Sequence, residues 1–220
     1  MFIISLIVFV GCLIMALVDG VIQPDYRIKS AVKIVLFIAF PFVYSYYDRN
    51  IDLKELFKAN KKGMKIAFSL CIPVFAVILL AYFLFKDIFD FSKVTTALTG
   101  KIGVNKDNFV YVAIYISFVN SLLEEFFFRG FAFLTLAKFS GYKFAYIFSA
   151  LTFALYHIAM MTGWFSVWVF VIVLAGLFAG GVIFNFLNKK SGNIYTSWLV
   201  HMFSNFAINL IGFMLFGILQ

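Results

Sequence analysis

The stretch NSLLEEFFFRGF, residues 120–131, sets two adjacent carboxylates, Glu124 and Glu125, and the guanidinium of Arg129 inside an apolar run that extends from Phe109 to Leu136. A charge at the centre of a bilayer costs about 2.5–3.5 kcal/mol on insertion scales, so three of them in one run require a reason. The rest of the chain fixes the solvent as lipid. Of its 220 residues 64% are hydrophobic and 13% charged, against roughly 25% charged in an ordinary soluble domain. A spanning helix needs about 20 mostly apolar residues, and seven runs qualify: Phe2–Val18, Ala31–Tyr47, Lys65–Phe85, Phe109–Leu136, Phe144–Met161, Phe165–Leu187 and Ile194–Leu219. The fold expected is all-α, a polytopic transmembrane bundle of about seven helices. It forms one membrane domain, with N-terminal helices and loops over 1–108 and the chemistry-bearing core over 109–220.

The net charge of +8 is scattered through short connections instead of gathered on a stripe, which excludes nucleic acid as a partner and points to membrane topology. Arg49, Lys54, Lys58, Lys61, Lys62, Lys65, Lys138, Lys143, Lys189 and Lys190 follow runs two, four and six. Arg27, Lys29, Lys33, Lys86, Lys93, Lys101 and Lys106 fall on the other side. The positive-inside rule places the first group, and the N-terminus with it, in the cytoplasm. The first run has no basic leader and no small-residue cleavage site, so it reads as a retained helix. Cys12 and Cys71 lie within apolar runs as unbridged, non-ligating thiols. Residues 48–65, with Ile51, Leu53, Leu56 and Phe57 among charges, read equally well as a surface amphipathic helix or as a solvated basic connector. The long connection 86–108 suits a cap over the bundle.

Eight of the ten acidic residues are assigned to connections, Asp19 among them, and the other two are Glu124 and Glu125. Both histidines, His157 and His201, are inside apolar runs. Helical spacing puts Ser117, Asn120, Ser121, Glu124 and Glu125 on one face of the fourth run. Ser149, Thr152, Phe153, Tyr156 and His157 share a face of the fifth, and Ser197, His201, Ser204, Asn205 and Asn209 a face of the seventh. Such stripes turn inward, toward one another or a wet cavity. Glu125 and Arg129, four apart, are about 40° around the helix from each other, whereas Glu124 is about 140° from Arg129. Glu125 is then neutralised locally and Glu124 is left free to act as a proton acceptor. A purely structural staple is the preferred account of Glu125 with Arg129. For Glu124 with two imidazoles, catalysis or ion handling is preferred over an interhelical network, which hydroxyls or amides would build at lower cost. Asn120, Ser204 and Asn209 read as helix–helix glue.

Glu124-Glu125-x-x-x-Arg129, Phe153-x-x-x-His157 and His201-x-x-x-Asn205, in order on the fourth, fifth and seventh runs, resemble the three motifs of the CPBP family. These are type II CAAX proteases of the Rce1 kind and bacteriocin-processing or self-immunity (Abi) proteins. The resemblance covers about residues 109–210 and implies an intramembrane endopeptidase whose site opens toward the cytosol. It implies that Glu124 with His157 activates the attacking water, that His201 and Asn205 stabilise the oxyanion, and that Glu125 with Arg129 supports the fourth helix. The family has been described both as metalloproteases and as glutamic proteases. No cofactor is the favoured reading here, with zinc on Glu124, His157 and His201 as the alternative. The usual His-Glu-x-x-His arrangement is absent from the sequence.

The partners implied are the bilayer and a membrane-associated protein or peptide substrate, whether a prenylated CAAX protein, a leader peptide or a pheromone precursor. The location implied is a plasma membrane, of a bacterium by length and composition. A non-catalytic immunity or partner-binding protein of the same fold is the competing reading. A proton-coupled transporter ranks last, for want of inverted repeats or broken helices. At ~1.5 Å per residue, Glu124 and His157 lie ~20 Å from the presumed cytoplasmic ends but His201 only ~12 Å from Asn193. The seventh helix must therefore begin earlier or tilt for the site to close.

Overall fold

The structure, a computed structural model, describes residues 1–219, leaving aside the side chains at positions 101 and 102. Lys101 of the charge count and Gln220 at the end of the second segment lie outside what is described. Seven helices are long and apolar enough to cross a membrane: Phe2–Ile22, Tyr26–Tyr47, Lys61–Phe85, Phe109–Ser140, Tyr142–Met161, Val167–Ser191 and Tyr195–Leu215. No strand occurs among the described residues, and the all-α polytopic bundle stands.

The fourth span, Phe109–Ser140, is the axis of the bundle. Every residue from Leu123 to Phe133 is buried, because Glu124, Glu125 and Arg129 must be kept from lipid and Phe126, Phe127, Phe128, Phe131 and Phe133 pack the helix into the bundle around them. Phe37 of the second span stacks on Phe127 with ring centroids 4.0 Å apart and meets Phe128 edge-on. On the first span, Gly11 lies so close to Phe127 that an added Cβ would approach its ring at 3.1 Å. Residues on both sides of position 108 thus share one core. The outer faces of the spans are apolar, with Phe2, Phe9 and Trp168 exposed, as lipid requires.

The fourth span departs from α winding twice, as π-helix over Tyr115–Asn120 and again over Glu125–Thr135. Wider winding displaces backbone carbonyls from their usual partners, and in lipid another donor must reach them. The polar stripes supply those donors. Ser149 Oγ donates to Phe128 O at 2.7 Å, Asn205 Nδ2 to Ile116 O at 3.2 Å and Asn209 Nδ2 to Ala113 O at 3.2 Å. Trp198 Nε1 adds a bond to Phe118 O. Asn185 and Asn188 of the sixth span tie it to Tyr146 O and to Ser197.

Residues 48–65 follow neither expectation. They carry a short 3-10 helix, Leu53–Phe57; its Leu53 and Leu56, with Ile51 just before it, are buried against the bundle, and its Phe57 stacks on Phe126 at 5.6 Å. The apolar residues face protein rather than lipid, and they close this end of the molecule. Gly130 permits it, since a Cβ there would meet Leu56 Cδ1 at 2.9 Å and Ile194 Cγ2 at 3.2 Å. At the opposite end the connection 86–108 forms the helix Ser92–Ile102, and Val104 packs with Phe109, Phe213 and Phe216.

Gly130→Val is expected to destabilise the protein by about 1–3 kcal/mol, the usual effect of overpacking. Gly176→Ala, where nothing lies within 4 Å of the added Cβ, is expected to be neutral. Thermal unfolding in detergent compares the two.

Candidate active site

The three stripes converge. Ser117, Ser121, Glu124 and Glu125 of the fourth span, Ser149, Thr152, Tyr156 and His157 of the fifth, and Ser197, His201, Asn205 and Asn209 of the seventh are all buried.

The second span brings the largest correction. Glu124 is not a free acid: Lys33 Nζ donates to its Oε1 at 2.9 Å, Asn120 Nδ2 donates to the same oxygen at 3.0 Å, and Asn120 Oδ1 accepts from Lys33. Asn120 is therefore part of the site and not simple glue. Lys33 is 6% exposed and lies over the Tyr156 ring at 4.9 Å. It is a buried partner, although the charge count placed it in a loop. Asp19, likewise assigned to a connection, ends the first span and is buried in an ion pair with Lys29. The signal for Lys33 was present in the sequence as the only charge inside the second apolar run. Its meaning depended on knowing that the second span lies against the fourth.

Glu125 behaves nearer to expectation. Arg129 Nη1 is 3.4 Å from its Oε1, with both side chains wholly enclosed. The guanidinium, whose nitrogens find no hydrogen-bond partner among the described residues, rests 3.9 Å over the Phe153 ring, so charge and cation–π attraction hold it. Glu125 also holds His201, whose Nδ1 is 2.9 Å from Oε1. His201 Nε2 points the other way, 3.8 Å from Glu124 Oε2. His201 thus stands between the two carboxylates.

Hydrogen-bond partners fix the tautomers. His157 Nδ1 is 2.8 Å from Phe153 O, which can only accept, so Nδ1 carries the proton and Nε2 a lone pair. His201 Nδ1 faces a carboxylate and likewise carries hydrogen. Glu124 is in electrostatic reach of both imidazoles. Asn205 shares the buried face but spends its amide on Ile116 O. Ser204 bonds only its own helix, at Val200 O, so of the three residues read as glue Asn209 alone joins helices in that simple sense.

The depth mismatch of His201 also resolves. Asn193 and Ile194 are buried rather than interfacial, and Ile194 sits beside Gly130 with its N–H bonded to Leu56 O. From that shared level, Glu124 is ~9 Å along one helix and His201 ~10.5 Å along the other at 1.5 Å per residue.

The cluster sits at mid-depth: Glu124 is near the middle of the fourth span, His157 is ~6 Å from Met161 at one end, and His201 is ~9 Å from Tyr195 at the other.

Zinc on Glu124, His157 and His201 fits this donor set poorly. Lys33 occupies Glu124 Oε1, and an ammonium 2.9 Å from the carboxylate opposes a dication. No group of three or more His, Cys, Asp or Glu side chains suited to a metal occurs among the described residues.

Buried charges, an acid–imidazole–acid bridge and seven spans define a class, the multi-pass membrane proteins with an ionic cluster inside the bundle. Residues 106–207 match the model of the Rce1-like family, type II CAAX prenyl endopeptidase Rce1-like. The matched region runs from just before the fourth span into the seventh and takes in all three motifs. Neither the curated proteins nor the solved structures contain a significant match.

Arg129→Met leaves Glu125 without its buried cation and is expected to destabilise the fold by about 3–5 kcal/mol. Adding Glu125→Gln should recover part of that loss. Thermal stability of the single and double variants measures both.

Proposed function

We propose that the protein is an intramembrane endopeptidase that cleaves a membrane-associated protein or peptide by water activated at Glu124 and His157. The family match supports peptide hydrolysis, and the observation that carries the reading is the division of labour at Glu124. Its Oε1 is taken by Lys33 and Asn120, while Oε2 faces His201. A water bonded to Oε2 and to the His157 Nε2 lone pair would have an acceptor for its proton and a second group to aim it. As the water oxygen adds to the peptide carbon, its proton passes to Glu124 and charge builds on the former carbonyl oxygen.

His201 turns Nε2 toward that charge, and Glu125 orients its ring through Nδ1, which is the role of a carboxylate behind a catalytic histidine. Asn205, by contrast, holds the seventh span against the fourth, and Arg129 neutralises Glu125. Collapse of the intermediate breaks the C–N bond and passes the proton held by Glu124 to the leaving amine. The chemistry needs no metal in this reading, and Lys33 against Glu124 is what supports that preference.

Orientation follows from charge. Lys29 and Lys33 are ion-paired within the bundle, so they drop out of the loop count and leave Arg27, Lys86, Lys93, Lys101 and Lys106 against ten on the other side. The N-terminus is then cytoplasmic.

With a fluorogenic farnesylated CAAX peptide and protein in liposomes, Glu124→Gln is expected to lower kcat by about 10²–10⁴. Cleavage that survives Glu124→Gln, or its absence in the unaltered protein, contradicts the reading. Treatment with a chelator should leave the activity intact, and a loss restored only by zinc would reverse the metal-free preference. A reporter at the N-terminus is expected to read cytoplasmic.

A further inference from the structure

Lys33 lies outside residues 106–207, on a span that carries none of the three motifs, and its geometry asks for more than charge balance. A cation serving only to neutralise Glu124 could meet either oxygen in any orientation. Lys33 instead meets Oε1, the oxygen that Asn120 also bonds, and Asn120 bonds Lys33 in return. Three groups on two helices form a closed triangle, which fixes the rotation of the carboxylate as well as its charge. Oε2 is the oxygen left over, and it is the one turned to His201.

The ammonium is itself held. The faces of Tyr156 and Phe37 lie 4.9 Å and 5.6 Å from Nζ, and Phe37, one turn along, stacks on Phe127. One turn in the other direction, Lys29 pairs with buried Asp19 of the first span. The second span is thereby pinned on both sides of Lys33, so its Nζ cannot slide along the fourth span.

We infer that Lys33 is a positioning residue of the active site, supplied by the N-terminal helical hairpin, which with Asn120 holds Glu124 in the one rotation that presents Oε2 to the reacting water. The inference rests on Glu124 being the base. It makes the first two spans part of the catalytic apparatus, so the matched core is incomplete without them.

Two readouts separate this inference from the reading beneath it. In infrared difference spectra of unaltered protein against Glu124→Gln, the carboxylate bands of Glu124 are expected to shift or disappear in Lys33→Met. Unchanged bands would overturn the pairing whether or not any peptide is cleaved. With the farnesylated peptide, Lys33→Met is expected to lower kcat per folded molecule about 100-fold, and Lys33→Arg about 10-fold, with KM altered less than about threefold, as misplacement of a reacting group predicts. A purely structural lysine would lower the melting temperature and leave kcat per folded molecule alone, and that result overturns the inference. Should Lys33→Met not fold, Lys33→Arg decides: a kcat within about twofold of the unaltered protein contradicts a positioning role. Failure of the unaltered protein to cleave the peptide counts against the proposed function, while the infrared bands still decide the pairing.

Discussion

Two carboxylates side by side in a low-dielectric interior set the terms for the rest of the molecule. Like charges repel more strongly as the dielectric falls, and each buried ion also carries a desolvation penalty. Each acid therefore needs its own cation from a different direction. Glu125 has Arg129 on its own helix, Glu124 has Lys33 on the second span, and His201 bridges them from the seventh. With Asp19 and Lys29, the acids and bases balance. An arrangement of helices that separates any one pair leaves a bare charge in the membrane, so the ionic cluster selects this packing over alternatives equally good in apolar contact.

The backbone of the fourth span imposes a second constraint. Its π segments flank Ser121–Glu124 and free carbonyls that lipid cannot satisfy. Ser149, Asn205, Asn209 and Trp198 reach in from the fifth and seventh spans to bond them. The same contacts that repair the helix bring His157 and His201 up to the glutamates.

The bundle and most of the site could be read from residue order because their signals are local. Seven apolar runs mark seven spans, and period-3.6 spacing places Glu124, His157 and His201 on inward faces. What escaped depended on pairing between distant segments. Lys33 looked like a loop charge because the end of a span and the start of a loop have the same composition. Asp19 was hidden for the same reason, since π winding carries the first helix past it to Ile22. Residues 51–57 were amphipathic, but amphipathicity alone does not say whether lipid or protein covers the apolar side. Nor could a rule of 100° per residue foresee π winding from Glu125 onward, which changes how the two glutamates and Arg129 face their neighbours.

The account stands on convergence of the second, fourth and seventh spans around Glu124 and Glu125. Thiol cross-linking in native membranes tests it directly, with Cys12 and Cys71 replaced by alanine and cysteines introduced in pairs at positions 33 and 124, and at 125 and 201. Both pairs should bridge readily with mercuric ion, while a pair at 33 and the lipid-facing position 168 should not. Absence of the first two bridges in folded protein, or bridging of the third, would contradict the convergence on which the proposed chemistry depends.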